Sequence, residues 1–296
     1  MTLAIAPPEV REQTLGKARV LLEALPFIKA HAGATVVVKI GGAAMEDPSL
    51  LETFAQDVAL LRLVGIRPVV VHGGGPQITA MARRLGIEPL FRNGHRVTDE
   101  ATLEVARMVL VGLVNQDIVS LLVQQGTPAL GLSGHDGGLL VTSPISPELG
   151  LVGQVDQVNV GLLEHLMAKV VPVIASIGAD RGGKSFNVNA DLVAGSVAGA
   201  LRSAKLVYLS DVPGVAGADG ELISELSVEE CEGLLASGVA DGGMIPKLGS
   251  AIDALRAGVG AVHLIDGRVE HGLILELFTP EGFGTMITGD GGGVGP

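Results

Sequence analysis

The sequence predicts an α/β protein: an αβα sandwich around a mainly parallel central sheet, in two lobes, preceded by an amphipathic helix. Three observations predict it. Short, β-branched apolar runs recur along the chain at Val36–Ile40, Arg67–His72, Lys169–Ile177, Lys205–Leu209 and Ala261–Ile265, the signature of strands buried on both faces. Helical segments with recognisable starts and stops separate them, and such alternation gives parallel strands with helices on both sides of the sheet. Two of the strands end in glycine turns, Lys39-Ile40-Gly41-Gly42 and His72-Gly73-Gly74-Gly75-Pro76, spaced by about 30 residues as one βαβ crossover requires.

Taken in order, residues 1–8 read as a loose tail. Glu9–His31 reads as an amphipathic helix, because Val10, Leu15, Ala18, Leu21, Leu22 and Leu25 recur at helical spacings between charged positions. It packs on its own domain or serves as an arm toward another subunit. After the first strand, Ser49-x-x-Glu52 predicts a capping box opening a helix that runs to about Val64 and stops at Gly65. Pro76 suits a first helical residue, and that helix ends at Leu85-Gly86. Thr98-Asp99-Glu100 starts one long helix ending near Gln125-Gly126. Ala129–Leu132 and Leu139–Thr142 are short strands, Leu162–Ala168 a helix, and Lys169–Ile177 a single buried strand. Helices at Asp191–Ala200, Ser227–Ser237 and Pro246–Ala257 alternate with the last two strands, and Gly289–Pro296 reads as a second tail.

Composition limits the function. The 296 residues are 47% hydrophobic and 18% charged, which excludes disorder over most of the length. A net charge of -12 argues against a nucleic-acid partner, which wants a basic face, and 2% aromatic residues leave little for base stacking. The single cysteine, Cys231, permits no intrachain disulfide. No signal-peptide pattern opens the chain and no long uninterrupted apolar run appears, so the expectation is a cytoplasmic protein with no membrane partner.

Ligands of such sheets gather at the carboxyl ends of the strands, where both glycine turns fall. Glycine lets a ligand approach the backbone and leaves N–H groups uncovered, and a helix N-terminus behind the turn adds a positive dipole end. Lys39 sits in the first turn's strand, where an otherwise apolar run makes a structural lysine improbable, and so reads as a phosphate contact. His72 before the second turn reads as structural. In Asn93-Gly94-His95-Arg96-Val97-Thr98, Arg96 suits bidentate binding of a carboxylate. Asn187-Val188-Asn189-Ala190-Asp191 places three polar side chains at a strand-to-helix junction, where Asn189 or Asp191 could cap the helix and a functional Asp191 would orient nearby lysines. In Gly242-Gly243-Met244-Ile245-Pro246-Lys247, a lysine in a helix's first turn opposes the dipole, which points to a role for Lys247. Gly178-Ala179-Asp180-Arg181-Gly182-Gly183-Lys184-Ser185 matches the phosphate-binding pattern G-x-x-x-x-G-K-[ST]. The following Phe186-Asn187-Val188-Asn189 alternates like a strand, however, and that pattern requires a helix there.

Taken together and in this order, Lys39-Ile40-Gly41-Gly42, His72-Gly73-Gly74-Gly75, Asn93–Thr98, Asn187–Asp191 and Gly243–Lys247 resemble the amino-acid kinase family over roughly residues 15–288. Within it, the chain is similar to the members that phosphorylate N-acetyl-L-glutamate. The resemblance implies an acyl-substrate lobe over 33–185 and an ATP-binding lobe over 186–288. It implies transfer of the γ-phosphoryl group of ATP, carried with Mg2+ and no metal held by the protein, to the side-chain carboxylate, as a step of arginine biosynthesis. By position, Lys39 and Lys247 would neutralise the phosphoryl group, the N–H groups of Gly41, Gly42, Gly74 and Gly75 would donate to it, and Asp191 would hold the lysines. Arg96 and Asn187 would bind the acyl substrate, and Asp211 the nucleotide. The two ends resemble the arginine-inhibited hexameric members, a trimer of dimers linked by N-terminal helices. That implies oligomerisation through 9–31 and an L-arginine effector site lined by His263, Glu276 and Gly282. Two alternatives remain open at this stage: a sibling kinase for a carrier-bound aminoadipate or glutamate, and a P-loop nucleotidase using Lys184.

Overall fold

The computed structural model describes residues 8–92, 95–280 and 282–289; the tail residues 1–7 and 290–296, and Asn93 and Gly94 of the arginine motif, lie outside the described residues. The chain forms an eight-stranded sheet whose strands run, in spatial order, Glu225–Ser227, Gly284–Thr288, Ala261–Asp266, Lys205–Ser210, Thr35–Ile40, Arg67–His72, Val171–Ala175 and Ala129–Leu132. Every pairing is parallel except that of Ala261–Asp266 with Gly284–Thr288. A sheet covered by helices on both faces is therefore observed as expected.

Side-chain alternation sorts the strands onto the two faces. Val36, Val38, Ile40, Val70, Val173 and Val207 join one apolar core with the helices Pro48–Leu63, Gly75–Arg84 and Gly272–Phe278. Val37, Val69, Val71, Ile174, Leu206 and Tyr208 join the other with the helices Ala190–Leu201 and Met244–Arg256. This parity decides where chemistry falls. Lys39 shares the Val37 face, under the helices that carry Asp191 and Lys247, whereas His72 shares the Val70 face.

Several local expectations change. The Pro48–Leu63 helix is capped by Asp47, whose carboxylate accepts the Ser49 N–H at 2.8 Å, with Pro48 in the first turn. Ser49 itself donates its hydroxyl to Asp47 and is not the cap. An ionised oxygen one residue outside a proline start is the better acceptor. The long helix is interrupted: Glu100–Arg107 and Asn115–Gln124 flank a π-helical segment, Met108–Val114. By length and composition the stretch Glu100–Gln124 could cross a membrane, but Val105, Val109, Leu110, Ile118 and Leu122 are packed into the core. Lys169–Ile177 is two strands, Val171–Ala175 in the sheet and Ile177–Ala179 in a small closed barrel with Leu140–Pro144, Val152–Val158 and Ser185–Val188.

That barrel disposes of the P-loop alternative. Ile177–Ala179 and Ser185–Val188 are antiparallel partners, so Gly178–Ser185 is a hairpin. Asp180 closes its tip by accepting the Gly182 and Lys184 N–H groups at 2.8 and 2.9 Å. No helix begins at Lys184, so no ring of N–H groups faces a phosphate there.

Candidate active site

The first glycine turn leads from Thr35–Ile40 into a single 3-10 turn, Gly42–Met45. Gly42 has φ +59, and a Cβ there would run into the Asp211 carboxylate, so only glycine fits. The second turn feeds the helix Gly75–Arg84, with Pro76 in its first turn, whose leading N–H groups have no partner inside the helix. Asn189 caps Ala190–Leu201 by accepting the Asp191 N–H at 2.7 Å, which frees the Asp191 carboxylate to face the sheet.

There Asp191 stands between two lysines. Lys39 Nζ is 2.9 Å from one carboxylate oxygen, and Lys247 Nζ donates to the other at 2.9 Å; all three side chains are buried. Burial alone would push the Asp191 carboxyl up, but the two ammonium groups outweigh it and hold it at about 2. Burial lowers Lys247, against the pull of Asp191. The cluster is braced from behind by the chain's only tyrosine. Tyr208 Oη and Ser250 Oγ lie 2.8 Å apart, Ser250 donates to the Asp191 carbonyl at 2.7 Å, and Lys247 Nζ rests 5.5 Å from the Tyr208 ring centroid. Two lysines converge on one carboxylate, with Asp211 also acting on Lys247, so two ammonium groups are held side by side where an anion could lie between them.

Two cavities meet at this cluster, and Lys39, Gly41, Gly42 and Asp191 line both. One, of about 260 Å3, also holds Gly74, Gly75, Arg96 and Asn187. Its arginine is held from one side and has a donor to spare. Arg96 Nη2 donates to the Gly75 carbonyl at 2.9 Å and to Thr79 Oγ1 at 2.8 Å, and the guanidinium lies 4.7 Å from the Phe91 ring centroid. Nη1 is buried and has no hydrogen-bond partner among the described residues, a cost that a bound carboxylate would remove. Asn187 Nδ2 reaches Thr98 Oγ1 at 3.3 Å, and Thr98 in turn donates to the Arg96 carbonyl.

The other cavity, of about 630 Å3, is mostly apolar, walled by residues such as Leu209, Val212, Pro213, Leu222 and Met244, with Asp211 and Lys247 at its polar end. That suits a flat heterocycle with a charged tail reaching the lysines. No group of three or more His, Cys, Asp or Glu able to hold a metal occurs among the described residues.

The remaining candidates lie elsewhere, near the amino end of the Lys205–Ser210 strand. His263 Nδ1 is 2.6 Å from Glu276 Oε1, the Phe283 N–H donates to Glu276 Oε2 at 2.8 Å, and Gly282 precedes it, exposed. Glu276 is buried. Lys205 completes the cluster 3.0 Å from His263 Nε2. An ammonium on Nε2 puts the ring proton on Nδ1, donating to Glu276. Burial lowers His263, and the His263 and Phe283 hydrogen bonds outweigh burial to lower Glu276. Lys205 and Tyr208 went unmarked at the level of sequence, and Thr98 was marked only as the end of the Asn93–Thr98 motif and the start of a helix. Only Tyr208, as the lone tyrosine inside an apolar strand, carried a signal that could have found it.

A sheet between two helical layers, whose two cavities share a Lys–Asp–Lys cluster and the first glycine turn while the second glycine turn lines one of them, is the architecture of a small-molecule phosphotransferase. The chain belongs to the amino acid kinase family, whose model matches residues 34–266. It is 47% identical over 285 residues to an acetylglutamate kinase of Nostoc punctiforme (95% of this chain, 96% of the relative). It is 49% identical over 285 residues to that of Syntrophobacter fumaroxidans (92% and 96%). Among solved structures it resembles N-acetylglutamate synthase from Neisseria gonorrhoeae complexed with coenzyme A and N-acetyl-glutamate, with a TM-score of 0.83 and 30% identity. That match covers 92% of this chain but 63% of the synthase. Carbamate kinase from Giardia lamblia shares the fold at 17% identity and TM-score 0.64, covering 88% of this chain and 100% of that one.

Proposed function

We infer that this chain is a phosphotransferase that uses ATP to phosphorylate the side-chain carboxylate of N-acetyl-L-glutamate, a step of arginine biosynthesis. A carboxylate oxygen attacks the γ-phosphorus, the bond to the ADP oxygen breaks, and N-acetyl-L-glutamyl 5-phosphate and ADP leave. The observation that carries this reading is the Lys39–Asp191–Lys247 cluster shared by a cavity that holds Arg96 and an apolar, nucleotide-sized cavity. Two anions must meet, so charge neutralisation and alignment are the whole task. Lys39 and Lys247 supply the charge, and Asp191 holds them in register. Gly41, Gly42, Gly74 and Gly75 contribute N–H donors to the phosphoryl oxygens. Arg96 takes the substrate's α-carboxylate and Asn187 its neighbourhood. Asp211 serves the nucleotide, which brings Mg2+ on its phosphates. No general base is needed, because the attacking carboxylate is already ionised at neutral pH. The lobes divide the labour, 33–185 for the acyl substrate and 186–288 for ATP, with Asn187 reaching over the boundary. A cytoplasmic setting, where ATP is available, fits this chemistry.

The same reading extends to regulation. L-arginine binds at His263, Glu276 and Gly282, its guanidinium claiming the Glu276 carboxylate now held by His263. The helix Pro8–His31 exposes Leu15, Val20, Leu21, Leu22 and Leu25, a stripe that a second copy would cover, linking dimers into a hexamer. The test is acyl phosphate trapped as hydroxamate from MgATP and N-acetyl-L-glutamate, with and without L-arginine. Turnover that arginine suppresses supports both readings. Turnover indifferent to arginine removes the effector site, and no turnover removes the kinase.

A further inference from the structure

His72 is fully buried, yet nothing in the transfer chemistry above uses it. It ends the strand that feeds the second glycine turn, on the sheet face opposite Lys39. Its Nδ1 is 2.9 Å from the Gly73 carbonyl, and its Nε2 is 2.9 Å from Asn115 Nδ2. The same Asn115 nitrogen donates to the Val173 carbonyl at 2.9 Å, which fixes the amide's orientation with its NH2 toward the histidine. His72 Nε2 therefore accepts, the ring proton sits on Nδ1, and Nδ1–H donates to Gly73. Burial pushes the imidazole down to about 4, so this neutral form persists through neutral pH.

The Gly73 carbonyl and the Gly74 N–H belong to one peptide plane, and the described chain has no cis peptide. In a planar trans peptide the two groups point in opposite directions. Fixing the carbonyl on His72 thus aims the Gly74 N–H the other way, and Gly74 lines the substrate cavity. The Gly73 N–H is tied as well, to the Ile40 carbonyl at 3.3 Å. The π-helical segment Met108–Val114 completes the brace. Its geometry delivers Asn115, whose N–H closes on the Leu110 carbonyl. It also presses on the turn: a Cβ at Gly74 would lie 2.6 Å from Leu110 Cδ2 and 3.5 Å from Val114 Cγ2. π-bulges are retained where a helix must redirect a side chain at a functional place.

We propose that His72 and Asn115 are positioning residues for phosphoryl transfer: the π segment holds Asn115 on His72, His72 holds the Gly73 carbonyl, and the peptide plane thereby aims the Gly74 N–H at the transferring phosphoryl oxygen. This rests on the phosphotransfer reading. Two isosteres of the imidazole separate its two hydrogen bonds. His72→Asn sets an amide nitrogen near the Nδ1 position and keeps the donor to Gly73 while losing Asn115. His72→Gln sets its amide oxygen near the Nε2 position and keeps Asn115 while losing the donor to Gly73. Hydroxamate-trapped turnover of both is measured beside wild type, with thermal melts. A misdirected oxyanion-type donor costs about 10–100-fold, so His72→Gln lowers kcat by that factor while KM for ATP and for N-acetyl-L-glutamate stays within about twofold. His72→Asn recovers kcat to within about fivefold of wild type.

Equal kcat in the two variants, or a loss that falls on KM, overturns the positioning role. Asn115→Ala provides a second arm if His72→Gln does not fold: it keeps the donor to Gly73, so kcat lower by about three- to fivefold with KM unchanged supports the brace, and unchanged kcat overturns it. Wild type that forms no acyl phosphate overturns the phosphotransfer reading itself and this proposal with it.

Discussion

Two buried clusters of this protein have nearly the same ingredients and different electrostatics. At the carboxyl end of the Thr35–Ile40 strand, one carboxylate, Asp191, is shared by Lys39 and Lys247, and the cluster faces two cavities. Toward the amino end of the neighbouring Lys205–Ser210 strand, one carboxylate, Glu276, faces one lysine across a neutral imidazole, His263. In the first, two ammonium groups converge on one carboxylate, with Asp211 also acting on Lys247; in the second, one ammonium and one carboxylate are separated by an imidazole. Two ammonium groups held side by side repel each other, which an anion set between them would relieve, and the first cluster faces two cavities open to one. The second keeps a carboxylate on a hydrogen bond that a competing cation could take. The number of ammonium groups that converge, more than residue type, separates the two clusters.

The largest expected effect breaks the first cluster. Asp191→Asn removes the carboxylate that two buried ammonium groups share, which costs about 3–5 kcal/mol of stability and lowers kcat by at least about 100-fold; urea unfolding and hydroxamate turnover read both. The sign with pH follows. The folded Asp191 value, about 2, lies below the unfolded one, so its contribution is complete above about pH 4 and is lost as pH falls toward the folded value. Next, Arg96→Lys replaces a fork with a point charge and raises KM for the acyl substrate by about 10–100-fold, with KM for ATP little changed. A larger rise for ATP would reverse the assignment of the two cavities.

A smaller effect sharpens the second cluster. Glu276→Gln removes the carboxylate a guanidinium needs, so inhibition by L-arginine weakens by about tenfold or more while basal kcat stays within about twofold. Undiminished inhibition would move the effector elsewhere. The smallest is the pH profile of the wild type. Because burial lowers Lys247, turnover should decline on the alkaline side before the ordinary lysine range, with no loss across the histidine range. A rise that follows an imidazole would contradict a mechanism without a general base.

Sequence made the two lysines legible because both break a local rule: Lys39 interrupts a buried apolar strand and Lys247 sits against a helix dipole. Their partner was harder, since Asp191 and Asn189 compete for one capping role by pattern alone, and the observed cap had to free Asp191 for the lysines. The sheet was legible as alternation. The small barrel was not, because its longest strand, Val152–Val158, is broken by polar residues and offers no apolar run, and neither was the π segment, whose apolar spacing reads as plain helix. His72 was visible only as structural, since Asn115, its partner, lies 43 positions away beyond that segment. Lys205 was marked only as the first residue of a strand, and its neighbour His263 came into view through family resemblance, not through any local pattern.

The most direct test of this account compares Lys247→Met with Lys205→Met in one hydroxamate assay without arginine. The account predicts that Lys247→Met loses turnover by about 1,000-fold while Lys205→Met stays within about threefold of wild type. Comparable losses in both variants, or substantial turnover surviving in Lys247→Met, would contradict it.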